Sequence, residues 1–168
     1  MSGLTIRPAG TTDIPAIIAV QRQTWWVTYE SIIGKEQCDD MFERLYSEAS
    51  LTAQMEESGH RFCLLERAGE PYGFASWSEL DDNGLYKLQK IYVVPSAQGS
   101  GAGRCLLSAV EDFIASEGGS EIRLNVNRHN PARSFYEKMG YSVLYEEDIP
   151  IGPFWMNDYV MGKKLTVK

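Results

Sequence analysis

The sequence predicts a mixed α/β domain, and three observations carry that expectation. Between Leu85 and Val126 the chain runs from an apolar strand through a glycine-rich loop into an amphipathic helix and on to a second strand. At His60 the hydrophobic period changes from helical to alternating. Turn signals, DDNG at Asp81–Gly84 most clearly, then divide the chain into strand-length pieces. A chain of 168 residues has the size of one domain and can bury a core without disulfides or metals, so a single domain over 1–168 is expected.

The elements follow in order. A short strand around Leu4–Arg7 leads into a helix that Thr12 or Asp13 can cap, with Pro15 tolerated in its first turn and Ile14, Ile17, Ile18 and Trp25 at helical spacing. After a break at Gly34, KEQCDDMFERLYS and LTAQMEES read as one or two further helices, the second entered through Ser50. Two strands then meet at a tight turn over Ala68–Glu70, with Phe62, Leu64, Phe74 and Trp77 as buried candidates. A strand over Leu85–Val94 delivers the chain to the glycine loop. The helix beyond it carries Leu106, Leu107, Val110, Phe113 and Ile114 on one face and stops at Gly118–Gly119. A strand at Ile122–Val126, a helix opened by Asn130-Pro131, and a strand pair in Tyr141–Ile149 and Asp158–Leu165 complete the chain.

Composition removes several classes of function. Sixteen basic against 23 acidic side chains give a net charge of −7, which opposes a nucleic-acid backbone and mildly favours a cationic partner. Three widely spaced cysteines with no C-x-x-C pair argue against a disulfide framework and against zinc, and they fit a reducing cytoplasm. Two histidines, His60 and His129, are too few for a multi-histidine metal site, so no metal is expected. The start, MSGLTIRPAG, has no apolar signal core, and no run approaches the ~20 apolar residues needed to span a bilayer. A cytoplasmic protein bound to neither membrane nor nucleic acid is expected.

The glycine loop carries the chemistry. Gly99, Gly101 and Gly103 allow several backbone N–H groups to point outward at a helix N-terminus, a natural seat for phosphate. A Walker loop would end in Gly-Lys-Ser/Thr, whereas Gly103 is followed by Arg104 and Cys105. A dinucleotide fingerprint would place its third glycine where Arg104 stands, and no acidic strand end lies about 20 residues on.

Taken together, LQKIYVVPSAQGSGAGRCLL and the following LNVNRHNPARSFYEKMGY resemble the GCN5-related N-acetyltransferase (GNAT) superfamily in detail from Lys87 to Tyr141, and in element order throughout. The resemblance implies a mostly antiparallel central sheet flanked by helices and splayed at the strand before the glycine loop. It also implies acetyl-CoA as cosubstrate, its pyrophosphate on the loop Gln98, Gly99, Ser100, Gly101, Ala102, Gly103 and Arg104. Ile91, Tyr92 and Val93 match the strand end whose backbone binds pantetheine and polarises the thioester carbonyl. Asn130 matches a cofactor contact, and it is equally placed to cap the helix after Pro131. Tyr136 matches the tyrosine that faces the cofactor sulfur, as general acid or as hydrogen-bond donor to the thiolate. The implied reaction is direct attack of a primary amine on the thioester through a tetrahedral intermediate, without a protein nucleophile.

The acceptor side is less defined by sequence. The histone-acetylating branch carries a glutamate where Lys87 stands, which removes that base and leaves Glu30 and Glu79 as candidates acting through water. TWWVTYESIIG and DYVMGKKL are similar to the branch containing polyamine acetyltransferases, where the first helices wall the acceptor site. Trp25, Trp26, Tyr29 and Glu30 would then line an ammonium pocket, or the tryptophans would be core. The expected partner is a small-molecule or peptide amine, and a homodimer is a compatible assembly. An N-acetyltransferase acting on a polyamine, a peptide or protein N-terminal or lysine acetyltransferase, and a non-catalytic acyl-CoA-binding regulatory domain all remain open at this point. Tyr136 favours an enzyme.

Overall fold

A computed structural model describes residues 3–166 of the chain. Seven strands form one sheet in the order β1-β2-β3-β4-β5-β7-β6. They are β1 (Leu4–Ala9), β2 (Arg61–Arg67), β3 (Glu70–Glu79), β4 (Leu85–Val93), β5 (Glu121–Asn127), β6 (Ser142–Ile151) and β7 (Phe154–Lys164). Five helices accompany them: α1 (Ile14–Ile33), α2 (Lys35–Tyr46), α3 (Glu48–Glu56), α4 (Ala102–Ser116) and α5 (Ala132–Lys138). All neighbouring strands are antiparallel except β4 and β5. The expected mixed, mostly antiparallel architecture is the one observed.

Local chemistry explains most element boundaries. Gly34, at φ +83°, ends α1 and begins α2, a conformation that a residue with a Cβ seldom adopts. The third helix starts earlier than the sequence suggested, because Ser47 rather than Ser50 is its cap: Ser47 Oγ accepts from the Ser50 N–H at 3.1 Å. Asp13 turns its carboxylate back to the Gly10 N–H at 2.9 Å and to Arg7 at 2.8 Å, fixing the entry into α1. The last two strands are longer than expected and close through Gly152-Pro153, since β6 lies at the sheet edge and tolerates polar residues that interrupt the apolar pattern.

The core lies on both faces of the sheet. Leu106, Leu107, Val110 and Ile114 of α4 are fully buried, and Trp77 of β3 stacks on Phe113 at 5.2 Å. Truncating any of these leucines to alanine would cost ~2–5 kcal/mol. On the other face Trp25 of α1 packs between Tyr29 and Tyr46, with centroids at 4.6 and 5.5 Å, and donates its indole N–H to the Cys38 carbonyl at 2.9 Å. Among the described residues no helix is long and apolar enough to cross a membrane.

Candidate active site

The sheet opens in the middle. β4 and β5 pair only from Leu85–Leu88 against Glu121–Leu124. β4 stays on β3 as far as Val93, and β5 stays on β7 as far as Asn127, so the two strands part beyond Leu88 and Leu124. Alternate backbone N–H and C=O groups of Gln89–Val93 therefore face an open edge. A bulge marks the parting point: Lys90 pairs with Ser76 and Leu88 with Trp77, leaving Gln89 without a partner in the ladder. Gly73 lets β3 follow this bend closely, because a Cβ there would meet the Tyr92 carbonyl at 2.7 Å.

The parting creates a cleft of about 1020 Å³. At one end lies the glycine loop. Gly99 and Gly101 hold φ of +79° and +88°, and Gly101 caps α4 in the left-handed region. The first α4 helical bond runs from Cys105 N–H to Gly101 at 3.0 Å, so the N–H groups of Ala102, Gly103 and Arg104 precede the helix ladder and project from its positive end. Gln98, Gly99, Gly101, Gly103 and Arg104 all line the cleft, as do Ile91, Tyr92 and Val93. Ser100 and Ala102 belong to the same loop; Ser100 turns its hydroxyl to the Ala97 carbonyl and Ala102 is buried. A run of exposed amides beside an open strand edge suits a phosphorylated, amide-bearing ligand such as acetyl-CoA.

Asn130 and Tyr136 face the same space from the β5–α5 turn and from α5. Asn130 does two jobs: its Oδ1 accepts from the Ala132 N–H at 2.9 Å, and its Nδ2 donates to the Tyr29 hydroxyl at 3.5 Å, tying the start of α5 to α1. The Tyr136 phenol is 8% exposed, and burial pushes its pKa well above the ordinary tyrosine value, with Tyr29 adding to the effect. Tyr92 interacts with the hydroxyls of both Tyr29 and Tyr46, and burial raises all three phenols. A neutral tyrosine cluster thus crosses from α1 to β4.

Trp25, Trp26 and Glu30 of α1 do not line the cleft, and the tryptophans take the alternative left open by sequence, packing away from it. The structure seats Trp25 in the core, at 2% exposure, and ties Trp26 to Asp39 at 2.7 Å. Glu30 and Glu79 are both exposed and stand outside the cleft lining. Of that group only Tyr29 reaches the cleft, accompanied by Thr24, Val27, Thr28, Ser31 and Ile32 at helical spacing. Three side chains went unnoticed. Lys90 lines the cleft, donates to Gln54 Oε1 at 2.7 Å and is pulled down to about 8 by burial, with Lys87 contributing. Asn125 of β5 also lines it, and donates to Asp158 Oδ2 at 3.2 Å and to Glu147 at 3.4 Å. Asp158 itself is 5% exposed, and its Oδ1 is buried without a hydrogen-bond partner. Burial pushes this carboxyl above the usual range; Asn125, Lys87 and Arg128 pull it partly back, and Glu147 pushes it further up. One signal was readable: in WMNDYV the inward positions alternate, and Asp158 is a charged residue on an inward one.

The cysteines take no part. Burial raises Cys38 to about 11 and Cys63 to about 12, which keeps both as thiols, and Cys105 is half-buried on α4.

A sheet parted at a parallel strand pair, with a glycine loop and helix N-terminus at the mouth, defines a class of acyl-CoA-dependent transferases. A family model for the acetyltransferase (GNAT) domain matches residues 28–150. An uncharacterized N-acetyltransferase of Bacillus subtilis, YhfO, is 32% identical, covering 92% of this chain and 97% of that one. The crystal structure of the PaiA N-acetyltransferase from Thermoplasma acidophilum in complex with coenzyme A superposes with a TM-score of 0.82 at 28% identity, over 98% of this chain and 99% of that one. A spermidine N(1)-acetyltransferase from the same organism is 26% identical over 96% of this chain and 97% of its own length. The chain belongs to the GNAT family, and it is an acetyl-CoA-dependent N-acetyltransferase.

Proposed function

We propose that the enzyme acetylates a cationic primary amine, with spermidine-like polyamines ahead of peptide N-termini and lysines. The observation that carries the reading is the charge on the acceptor side of the parted strands: Asp158 and Glu147 both turn toward the Asn125 amide, in a protein of net charge −7. Of the nearby cations, Arg128 spends its guanidinium on Asp148 at 2.9 Å and on the backbone carbonyls of Asp158 and Glu147, and Lys90 donates to Gln54 Oε1 at 2.7 Å. The similarity to a spermidine N(1)-acetyltransferase supports the same class of acceptor.

Acetyl-CoA supplies an acyl carbon already activated as a thioester. In this reading the N–H groups from Gly99 to Arg104 hold its pyrophosphate, the Arg104 side chain adds a positive charge, and the backbone of Ile91–Val93 orients the pantetheine arm and the carbonyl. Asn130 fixes the wall between Tyr29 and α5. Tyr136, with its pKa raised by burial, stays neutral and stabilises the departing sulfur by donating a hydrogen bond; it does not surrender its proton outright.

Acetyl-CoA consumption measured across polyamines, amino acids, aminoglycosides and N-terminal peptides at two ionic strengths tests the acceptor. Spermidine should give the highest kcat/KM, and its rate should fall with added salt more steeply than that of a monoamine, because an acidic surface concentrates polycations chiefly at low salt. A preference for a neutral or anionic acceptor would overturn the reading.

A further inference from the structure

Beyond Leu88 and Leu124 no strand ladder joins β4 to β5, yet an extended coenzyme arm lying between them needs a gap of fixed width. We propose that the Tyr29 hydroxyl is the strut that fixes this width and so positions the pantetheine arm. The inference rests on the reading above that lays the arm along Ile91–Val93, and it deepens that reading by naming the residue that holds the slot to size.

Three observations converge on Tyr29. The first is that its hydroxyl meets both sides of the gap. On one side it interacts with the hydroxyl of Tyr92, next to the free end of β4. On the other it accepts from Asn130 Nδ2 at 3.5 Å. Asn130 is tied to the end of β5, because its N–H donates to the Asn127 carbonyl at 2.9 Å. Tyr29, Tyr92 and Asn130 all line the cleft. The second observation is the mounting. Tyr29 projects from the 20-residue helix α1, and its ring lies 4.6 Å from that of Trp25, whose indole N–H is held by the Cys38 carbonyl. A side chain locked in this way transmits position rather than absorbing it. The third is chemical fit. A phenol carries one proton and two lone pairs, so one hydroxyl serves two partners at once. Burial keeps Tyr29 and Tyr92 neutral, so the strut holds across the working pH range.

Removing the hydroxyl leaves β4 and the β5–α5 turn without this link, and the arm must then order the gap as it enters, at the expense of affinity. Tyr46 provides an internal contrast. Its hydroxyl also reaches Tyr92, but from α2, and it stands outside the cleft lining. It supports β4 without crossing the gap.

Tyr29→Phe tests the assignment, because it removes the hydroxyl and keeps the ring packed on Trp25. Calorimetry compares coenzyme A with adenosine 3′,5′-bisphosphate, which lacks the pantetheine arm. Coenzyme A affinity should fall ~10-fold, while that of the bisphosphate should stay within about twofold. In steady state with spermidine, KM for acetyl-CoA should rise ~10-fold and KM for the amine should stay within about twofold. The loss should be the same at about pH 6 and about pH 9, since neither phenol ionises there. Tyr92→Phe should reproduce it, and the double variant should lose no more than either alone, the sign of one shared link. Tyr46→Phe should lower Tm and leave coenzyme A affinity unchanged. Equal weakening of coenzyme A and the bisphosphate, a matching loss in Tyr46→Phe, or a rise in the amine KM alone would each overturn the assignment. The binding comparison decides it whether or not spermidine is the acceptor. A parent that binds coenzyme A no tighter than the bisphosphate overturns the placement of the arm and this assignment with it, whereas a parent that discriminates and a Tyr29→Phe that discriminates equally well overturn this assignment alone. Should Tyr29→Phe not fold, Tyr92→Phe carries the same expectations.

Discussion

The two walls of the cleft are built on different principles. The wall at the glycine loop is made of backbone, contributed by one continuous stretch from Ile91 to Arg104. The facing wall is made of side chains, with Tyr29, Asn125 and Asn130 drawn from α1, β5 and the β5–α5 turn. A backbone wall depends on conformations that glycine permits, and so it leaves a local pattern in the sequence. A side-chain wall depends on which strands become neighbours, and no single stretch records that.

The sharpest way to break the comparison is to give the backbone wall a side chain. Gly101→Val places a β-branched residue at φ +88°, at the helix end where the N–H groups project. Coenzyme A affinity measured by calorimetry should fall roughly 100-fold or more. Stability should drop by about 1–2 kcal/mol, the strain of a left-handed non-glycine residue, leaving unfolding cooperative. An affinity equal to the parent's would take the loop out of the coenzyme site.

Next in size is a change at Tyr136, the side chain proposed to stabilise the departing sulfur. Tyr136→Phe removes one oxygen and keeps the ring that packs against Phe135 and Tyr141, at 5.3 and 6.0 Å. It should lower kcat by ~10–1000-fold with little change in acetyl-CoA affinity, the signature of an interaction made only as the sulfur leaves. Turnover unaltered across pH would reduce Tyr136 to a packing residue.

The same contrast explains what was legible in advance. The order of strands and helices followed from periodicity and turn residues, and the loop from Gln98 to Arg104 could be picked out because Gly99 and Gly101 mark left-handed positions that other residues avoid. Asn130 also showed itself through a local signal, the proline behind it. Trp25 and Glu30 lie outside the cleft lining for a physical reason: the buried residues of α1 share one broad face that serves both core and cleft, so sequence spacing alone does not say which of them meets the cleft. The setting of Asp158 comes only from its neighbours. Its partner Asn125 lies 33 residues away and on another strand, and the diagonal pairing of β5 with β7 brings them together.

The smallest expected effect separates glycine-type backbone that serves a ligand from glycine-type backbone that merely turns the chain. Ala68 and Gly69 join β2 to β3 in a two-residue hairpin, with φ of +52° and +81°, the signs that a type I′ turn requires at both positions. Gly69 meets that demand without cost, whereas Ala68 is an exposed residue held where its Cβ is unwelcome. Asparagine tolerates this region better and precedes glycine in the favoured turn of this type, without adding the unfolded-state entropy of a second glycine. Ala68→Asn should therefore stabilise the protein by ~1 kcal/mol, raising Tm by roughly 2–4 °C in a chain of this size. Neither coenzyme A affinity nor kcat should move, because the hairpin lies outside the cleft lining. A positive φ relieved here gains stability and changes nothing else, while the same φ blocked at Gly101 costs the coenzyme; a loss of activity in Ala68→Asn would mean that the turn communicates with the site through β3, whose Gly73 lies against the Tyr92 carbonyl.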